Sequence, residues 1–305
     1  MSNPPIKVIA CLLVATATAT VAFAAPQQVR ETGIVAADVD VEVYNVAGSV
    51  RISGWDRNEV RVEGSLGEGV ERLAFENDGD DVEIRVVVPR RRRRDPARQV
   101  GDTHLEIMVP RGASVSVETL AATITVVDVD GSVSMESSAG SVTYRGAAMD
   151  IEAGSAAGDI EINATAAGAS IDVEGVAGSI MVQFTDASVR ASSLTGGVRV
   201  IGGRLREGDF ESVSGSLYFE GEIAAGAELD FENFNGSIEL LIPGDTAASF
   251  DITTYSGTIE TEFGFEGRSV EAYSPEQEAE FTLGDGGGAE VSVETFSGTV
   301  RVRRR

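Results

Sequence analysis

The chain has 305 residues, and its 49 acidic side chains outnumber 24 basic ones, for a formal net charge of −25. This balance argues against general nucleic-acid binding, since phosphate backbones attract basic surfaces. With 35 glycines, only 8 prolines and many Val, Ile, Ser and Thr residues, the composition is typical of β-strands separated by tight turns, and it excludes a proline-rich disordered tract.

Residues 1–24 are predicted to be a signal peptide. Lys7 supplies positive charge, residues 8–21 are apolar, and Ala22–Ala24 place small residues where a signal peptidase requires them before Ala25. A membrane anchor is the alternative. The Ala- and Thr-rich composition of the apolar run and the cleavage site that follows it favour export.

Cleavage would remove the only lysine, Lys7, and the only cysteine, Cys11, leaving 23 arginines against 49 acids. Cys11 precedes the apolar run instead of following it, so lipidation is not expected. An exported chain without cysteine has no disulfides, and its stability depends on packing and backbone hydrogen bonds. No later segment predicts a transmembrane span.

Residues 25–112 contain strand-like segments that are longer and more charged than those farther along the chain. They include "EVRVEG", "VERLAFEN", "DVEIRVVVP" and "HLEIMVP", at residues 59–64, 70–77, 81–89 and 104–110. The end of a stack of strands exposes unpaired edges that promote aggregation, so a divergent region that covers such an edge is expected. We predict a divergent β-rich N-terminal cap or subdomain over residues 25–112.

Two features of this region are candidates for function. Arg90–Arg94 are five consecutive arginines, which would suit an anionic headgroup or polymer, but a solvated hairpin loop is the simpler interpretation in so acidic a chain. His104 is the only histidine and lies on a predicted strand with no cysteine nearby. A Ser-His-Asp or Cys-His site has no further support, and we expect a structural role for His104.

From residue 113 onward one phrase recurs about every 20 residues. The phrase begins with an apolar or small residue, then any residue, then Gly. Ser, Thr, Asp or Gly follows, and then two apolar residues separated by one other residue. Examples are "VAGSIMV" (176–182) and "FSGTVRV" (296–302). From Gly140 the glycines follow at steps of 18 to 21 residues, and a last step of 41 leads to Gly298. A step of 41 residues equals two periods, so we predict an additional coil between Gly257 and Gly298, formed by a copy of the phrase without glycine within residues 269–283.

Each period contains two strand-like runs and two corners. Alternation places Leu229, Phe231 and Ile238 on one face, and the corner glycine permits a backbone conformation that a Cβ forbids. This is typical of a β-solenoid, whose coils stack in parallel about 4.8 Å apart. We therefore predict an all-β, parallel, β-helix-like solenoid over residues 113–305. An antiparallel sandwich is the alternative, but it does not explain a phrase that recurs in phase.

Few residues suggest catalysis. The carboxylate pairs Asp38/Asp40 and Asp128/Asp130 would each share a face, as in β-helical sugar-cleaving enzymes, but outward acids are ordinary in an acidic protein. No Asp-rich calcium loop is present in the sequence. We predict no catalytic residues, no cofactor and no metal. The terminal "RVRRR" (301–305) is expected to place charge on the last exposed edge, where it blocks strand addition.

Residues 41–64, "VEVYNVAGSVRISGWDRNEVRVEG", the strand ending "IMVPRGASVSVET" (107–119) and the series of GSV, GSI and SGTI turns resemble a bacterial adhesin-like β-strand-repeat family. This family is a domain of unknown function, also described as toastrack-like. The likeness spans nearly the whole mature chain. It implies an exported or envelope-associated β-solenoid, often found near envelope-stress and sigma-factor systems, and it supplies no catalytic residues.

The leading hypothesis is an exported, non-catalytic, adhesin-like protein of the cell envelope, periplasmic or at the cell surface. It would bind an envelope protein or a polysaccharide through the faces of its solenoid. One alternative is an accessory protein of an envelope-stress signalling system. The other is a polysaccharide-cleaving enzyme, which requires outward acids together with Arg, Lys or His on adjacent coils. The acidic surface favours a cationic or polyol partner over nucleic acid.

Overall fold

The computed structural model describes residues 27–89, 100–265, 268–269, 275–285 and 288–305. The predicted signal peptide and the Arg90–Arg94 run lie outside these residues. Strands are the only regular secondary structure among the described residues, so no helix in them is long and apolar enough to cross a membrane. The strands are β1 (Gln27–Ile34), β2 (Asp40–Trp55), β3 (Glu59–Leu66), β4 (Arg72–Asn77), β5 (Asp81–Val87), β6 (Thr103–Pro110), β7 (Ser114–Val127), β8 (Val133–Ser137), β9 (Val142–Gly146), β10 (Asp150–Ala157), β11 (Ile160–Ala177), β12 (Ile180–Thr195), β13 (Val198–Ser214), β14 (Leu217–Asn235), β15 (Ile238–Ile242), β16 (Ala248–Thr261), β17 (Arg268–Ser269), β18 (Gln277–Leu283) and β19 (Glu290–Arg304).

The strands stack mainly as two parallel ladders that meet at the corner glycines. The first ladder consists of the strand segments before each corner glycine, and the second consists of the segments after it. In the first ladder Ser170–Gly175 pair in register with Ser188–Ser193, and in the second Ile160–Ala164 pair with Ile180–Phe184. The predicted all-β parallel solenoid is confirmed.

Inward side chains fill the space between the ladders. Residues at equivalent positions of neighbouring coils pack directly against one another. Phe210, Phe231 and Val293 occupy matching places in the first ladder and are buried. The rings of Phe210 and Phe231 stack with their centroids 4.8 Å apart. Each coil therefore buries the apolar face of the next, and this burial, at about 25 cal/mol per Å², is the main stabilising contribution to the fold.

The corner glycines allow neighbouring coils to approach closely. A Cβ on Gly236 would overlap the carbonyl oxygen of Gly215, and a Cβ on Gly298 would overlap the carbonyl oxygen of Gly236. No other residue fits these positions unless the backbone of one coil moves. The requirement for glycine at this corner, which the repeated phrase predicts, is confirmed.

Strand β2 lies inside the stack. It pairs in parallel with β5 and β6 on one side and with β7 on the other. Antiparallel strands lie against the outer coil, with β4 on β5, β3 on β6 and β1 on β3. They cover edges that the parallel coil would otherwise expose. The division into a cap of residues 25–112 and a solenoid of residues 113–305 stays a prediction.

The C-terminal strand β19 is also inserted into the stack. Its first half lies between β14 and β16, and its second half lies between β15 and β16. The prediction that the terminal arginines lie on an exposed edge is therefore wrong. Arg301 pairs with Glu260 at 2.9 Å, and Arg303 pairs with Glu239 at 2.9 Å, so these arginines neutralise acids of both flanking coils.

The prediction of a glycine-free coil between Gly257 and Gly298 is wrong as well. Strand β18 pairs antiparallel with β16, on the side of β16 that faces away from β19. Residues 270–273, which the same prediction includes, lie outside the described residues. The step of 41 residues is one stacking step, because a parallel ladder accepts any strand of matching pattern, whatever its place in the sequence.

Candidate binding groove

A long open groove follows the bend between the two ladders, where the first ladder approaches the corner glycines. Its volume is about 1360 Å³. In the spatial order of the stack, the residues that line it extend from β5 at one end to β16 at the other and include residues of β2 and β19. Pockets for small molecules have volumes of roughly 300–1,000 Å³. The size and the elongated lining suit a ligand that extends over many coils.

An exposed apolar row forms one side of the groove. Its members lie two residues before the corner position of their coils. They are the half-buried Val46 and the exposed Leu120, Val176, Leu194, Val213, Phe234, Phe296 and Tyr255, with Ser138 and Ala156 in two intervening coils. Leu120 is 60% exposed and Phe234 is 58% exposed, although such side chains are ordinarily buried. Their repetition gives a strip of apolar surface rather than isolated side chains.

The widest side chains of the apolar row form an aromatic stack. Phe296 lies between Phe234 and Tyr255, and its ring centroid is 4.9 Å from each of theirs. The interplanar angles are 5° and 9°, so the rings are nearly parallel. Both faces of Phe296 are therefore covered by neighbouring rings, and the stack presents ring edges to the groove.

An acidic row lies beside the apolar row, two residues earlier in each coil. It consists of Glu118, Glu136, Glu174, Glu211, Glu232 and Glu294, and Gly154, Ser192 and Thr253 occupy the same position in other coils. Neighbouring members are in register along the ladder, which places them about 4.8 Å apart. Arg85 is the only basic side chain among the described residues that line the groove, and it lies over the Tyr44 ring.

The crowding of the acidic row is visible at Glu232. Partial burial raises the pKa of Glu232, and the negative charges of Glu211 and Glu294 raise it further. Each cause disfavours the ionised carboxylate. A positive group bound in the groove would therefore relieve an unfavourable interaction as well as add a favourable one.

A buried polar row lies beneath these two rows. It alternates with them along the strand and includes Thr119, Ser137, Ser155, Ser212, Asn233 and Thr295. The side-chain amide of Asn233 donates to the Gly215 carbonyl at 2.8 Å, and the Ser155 hydroxyl donates to the Gly140 carbonyl at 3.0 Å. These two bonds join one coil to the corner of the next and give partly buried carbonyls a partner.

The site candidates that the sequence suggests lie outside the groove. His104 is exposed on β6, and its Nδ1 is 2.9 Å from the Ser49 hydroxyl. Asp38 and Asp40 are exposed near the start of β2, and the pair Asp128/Asp130 is exposed after β7. In the part of the chain that the structure describes, no three His, Cys, Asp or Glu residues are grouped so as to hold a metal ion.

The signal for the groove is present in the repeated phrase. Glu four residues before the corner position and an apolar residue two before it occur together in "ENFNG" (232–236) and "ETFSG" (294–298). Period-2 alternation places both on the same outward face. It does not show that this face bends inward to form a groove, which is why the sequence predictions missed the site.

The stacked coils and the continuous groove define a β-solenoid repeat protein with a repetitive surface. Residues 40–303 match the model of the Toastrack DUF4097 family, so the chain belongs to this family. The resemblance inferred from the sequence is confirmed.

Similar solved structures include a candidate adhesin from Parabacteroides distasonis, at 8% identity and a TM-score of 0.39, covering 91% of this chain and 97% of that chain. A candidate adhesin from Bacteroides fragilis is 9% identical, with a TM-score of 0.35 and coverage of 92% and 97%. A candidate lipid binding protein from Parabacteroides distasonis is 11% identical, with a TM-score of 0.35 and coverage of 91% and 96%. No curated protein matches the chain.

Proposed function

We propose that this chain is an exported, non-catalytic, adhesin-like β-repeat protein of the bacterial cell envelope, and that it binds an envelope partner through the groove. The observation that carries the proposal is repetition. An apolar side chain, a glutamate or both line the groove in nearly every coil of the two rows. A surface of this kind contacts a long partner at many equivalent points.

Repetition favours binding over catalysis. A catalytic site brings different groups together at one point, such as a nucleophile, a base and an electrophile. The acidic row instead presents the same carboxylate in neighbouring coils, and Arg85 at one end supplies the one positive charge among the described lining residues. Each coil adds a similar small contribution, so affinity grows with the length of partner that is bound.

The envelope location rests on the predicted signal peptide before Ala25. The mature chain would contain no cysteine, so an oxidising compartment would neither stabilise it through disulfides nor damage it through a free thiol. The net negative charge keeps such a protein soluble and directs it away from anionic surfaces.

Capture from an envelope extract tests the proposal. Immobilised mature protein is expected to retain an envelope component at low salt and release it at high salt. The variant Leu194→Ser/Val213→Ser, which makes the centre of the apolar row polar, should retain much less. Met149→Ser/Met181→Ser, which changes exposed apolar residues outside the groove, is the matched control and should behave like the wild type.

Two results would contradict the proposal. Equal retention by all three proteins would show that the groove is not the binding face. Release of defined sugar products from a polysaccharide, abolished by Asp130→Asn, would show that the protein is an enzyme.

A further inference from the structure

The aromatic stack restricts what the apolar row can bind. A sugar ring that binds an aromatic side chain lies flat on the face of the ring. Stacking at 4.9 Å occupies both faces of Phe296 and one face each of Phe234 and Tyr255, which removes most of the ring faces from contact with a sugar. The exposed ring edges and the aliphatic side chains of Leu194 and Val213 instead suit contact with aliphatic and aromatic side chains of another polypeptide.

The acidic row restricts the charge of the partner. Glu211, Glu232 and Glu294 are consecutive along the ladder and share one side of the groove. Membrane surfaces carry anionic lipids, which these carboxylates and the net charge of −25 would repel. Positive side chains beside the row form charge-assisted pairs. The occupant therefore combines apolar and basic groups.

The spacing of both rows restricts the conformation of the partner. Along the groove the rows repeat about every 4.8 Å. In an α-helix, residues at i+3 and i+4 lie about 4.5 and 6 Å further along the axis, or about 5.3 Å on average, so a helical stripe stays near this spacing over the few coils between β13 and β16. In an extended strand, side chains of one face follow about every 6.6 Å, and contacts fall out of register after a few coils.

We infer that the groove binds a basic amphipathic helix of a partner polypeptide, an inference that rests on the proposed binding function. The apolar stripe of the helix packs against the apolar row, and Lys or Arg beside that stripe pairs with the acidic row. The contact is strongest between β13 and β16, where the aromatic stack and Glu211, Glu232 and Glu294 lie together. This is recognition of a helix by a groove.

Three synthetic peptides test the inference by fluorescence anisotropy with the mature protein. The first combines Leu and Lys with helical periodicity. The second has the same composition in strict alternation, and the third keeps the helical pattern with Glu in place of Lys. We expect the first to bind at least about tenfold more tightly than either of the others. We also expect its affinity to fall as salt is raised.

Two triple variants assign the binding to the groove. The groove variant removes three neighbouring charges of the acidic row: Glu211→Gln, Glu232→Gln and Glu294→Gln. The matched control removes three exposed charges from the same coils: Glu207→Gln, Glu228→Gln and Glu290→Gln. Each of these residues comes four positions before the glutamate that its coil contributes to the acidic row. The groove variant should bind the first peptide about tenfold more weakly, and the control should change its affinity less than about twofold.

The outcomes separate the inference from the proposed function. Equal binding of the alternating peptide, or an unchanged affinity in the groove variant, would overturn the helix inference. So would groove-dependent capture of a polysaccharide or of anionic lipid vesicles, although the binding function would then stand. If neither the peptides nor the envelope component distinguish groove variants from wild type, both proposals fail.

Discussion

Gly257 and Gly298 are direct neighbours in the parallel ladder, and a Cβ on Gly257 would overlap the Gly298 carbonyl oxygen. One residue further, the Thr258 hydroxyl donates to the Thr299 hydroxyl at 3.2 Å across a separation of 41 residues. The phrases "TYSGTIET" (254–261) and "TFSGTVRV" (295–302) thus lie on one another, residue by residue. The phrase recurs because each copy is the template on which another copy pairs.

Gly236→Val is expected to destabilise the protein by about 1–3 kcal/mol, because its side chain would overlap the Gly215 carbonyl and push two coils apart. Gly154→Val is the matched control, since a Cβ there meets only the Glu136 side chain at 3.8 Å. Denaturant unfolding of both variants measures the difference. Equal effects would show that the corner tolerates a side chain.

Asn233→Ala should cost about 1 kcal/mol, since it removes a 2.8 Å hydrogen bond to the Gly215 carbonyl beneath the groove. Ser212 occupies the same position one coil away, and its hydroxyl has no partner among the described residues. Ser212→Ala should therefore change the free energy of unfolding by less. A larger loss for Ser212→Ala would contradict the assignment of the corner bond.

Tyr144 predicts a loss of stability in alkali. Its buried hydroxyl donates to the Val129 carbonyl at 2.8 Å and accepts from the Ala148 N–H at 2.7 Å. Burial raises the pKa of Tyr144 to about 12 from an ordinary value of 10.0. Below pH 10 the phenol is neutral in both states. As the pH rises toward 12, the unfolded chain ionises while the folded chain does not, so stability falls.

Tyr144→Phe should remove this part of the pH dependence and lower stability at neutral pH, because the Val129 carbonyl loses its partner. Unfolding free energies at several values from about pH 8 to about pH 12 measure both effects. An unchanged alkaline slope in the variant would exclude Tyr144 as the cause.

The exported protein should begin at Ala25. The physical reason is that small residues at Ala22 and Ala24 fit the signal peptidase after an apolar segment. Intact mass of the protein recovered from the periplasm measures the start. A membrane-bound form that retains residues 1–24 would contradict the prediction and support an anchor.

Much of the architecture is predictable from local sequence, because its determinants act over a few residues. Alternation of Leu229 and Phe231 with acids determines which side chains face inward, and Gly236 marks a corner that a Cβ would block. A spacing of about 20 residues between such corners allows few arrangements other than stacked coils. The sequence by itself therefore determined the strands, the corners and the parallel solenoid.

The tertiary structure decided the order of the coils and the shape of the groove. Equivalent phrases are equivalent templates, so local pattern does not determine that β19 lies between β14 and β16, or that β2 lies between β5 and β7. Glu232 and Phe234 are outward in any such solenoid. That they line one groove follows from the path of the stacked backbone before the corner, where bonds such as that from Asn233 to the Gly215 carbonyl join neighbouring coils.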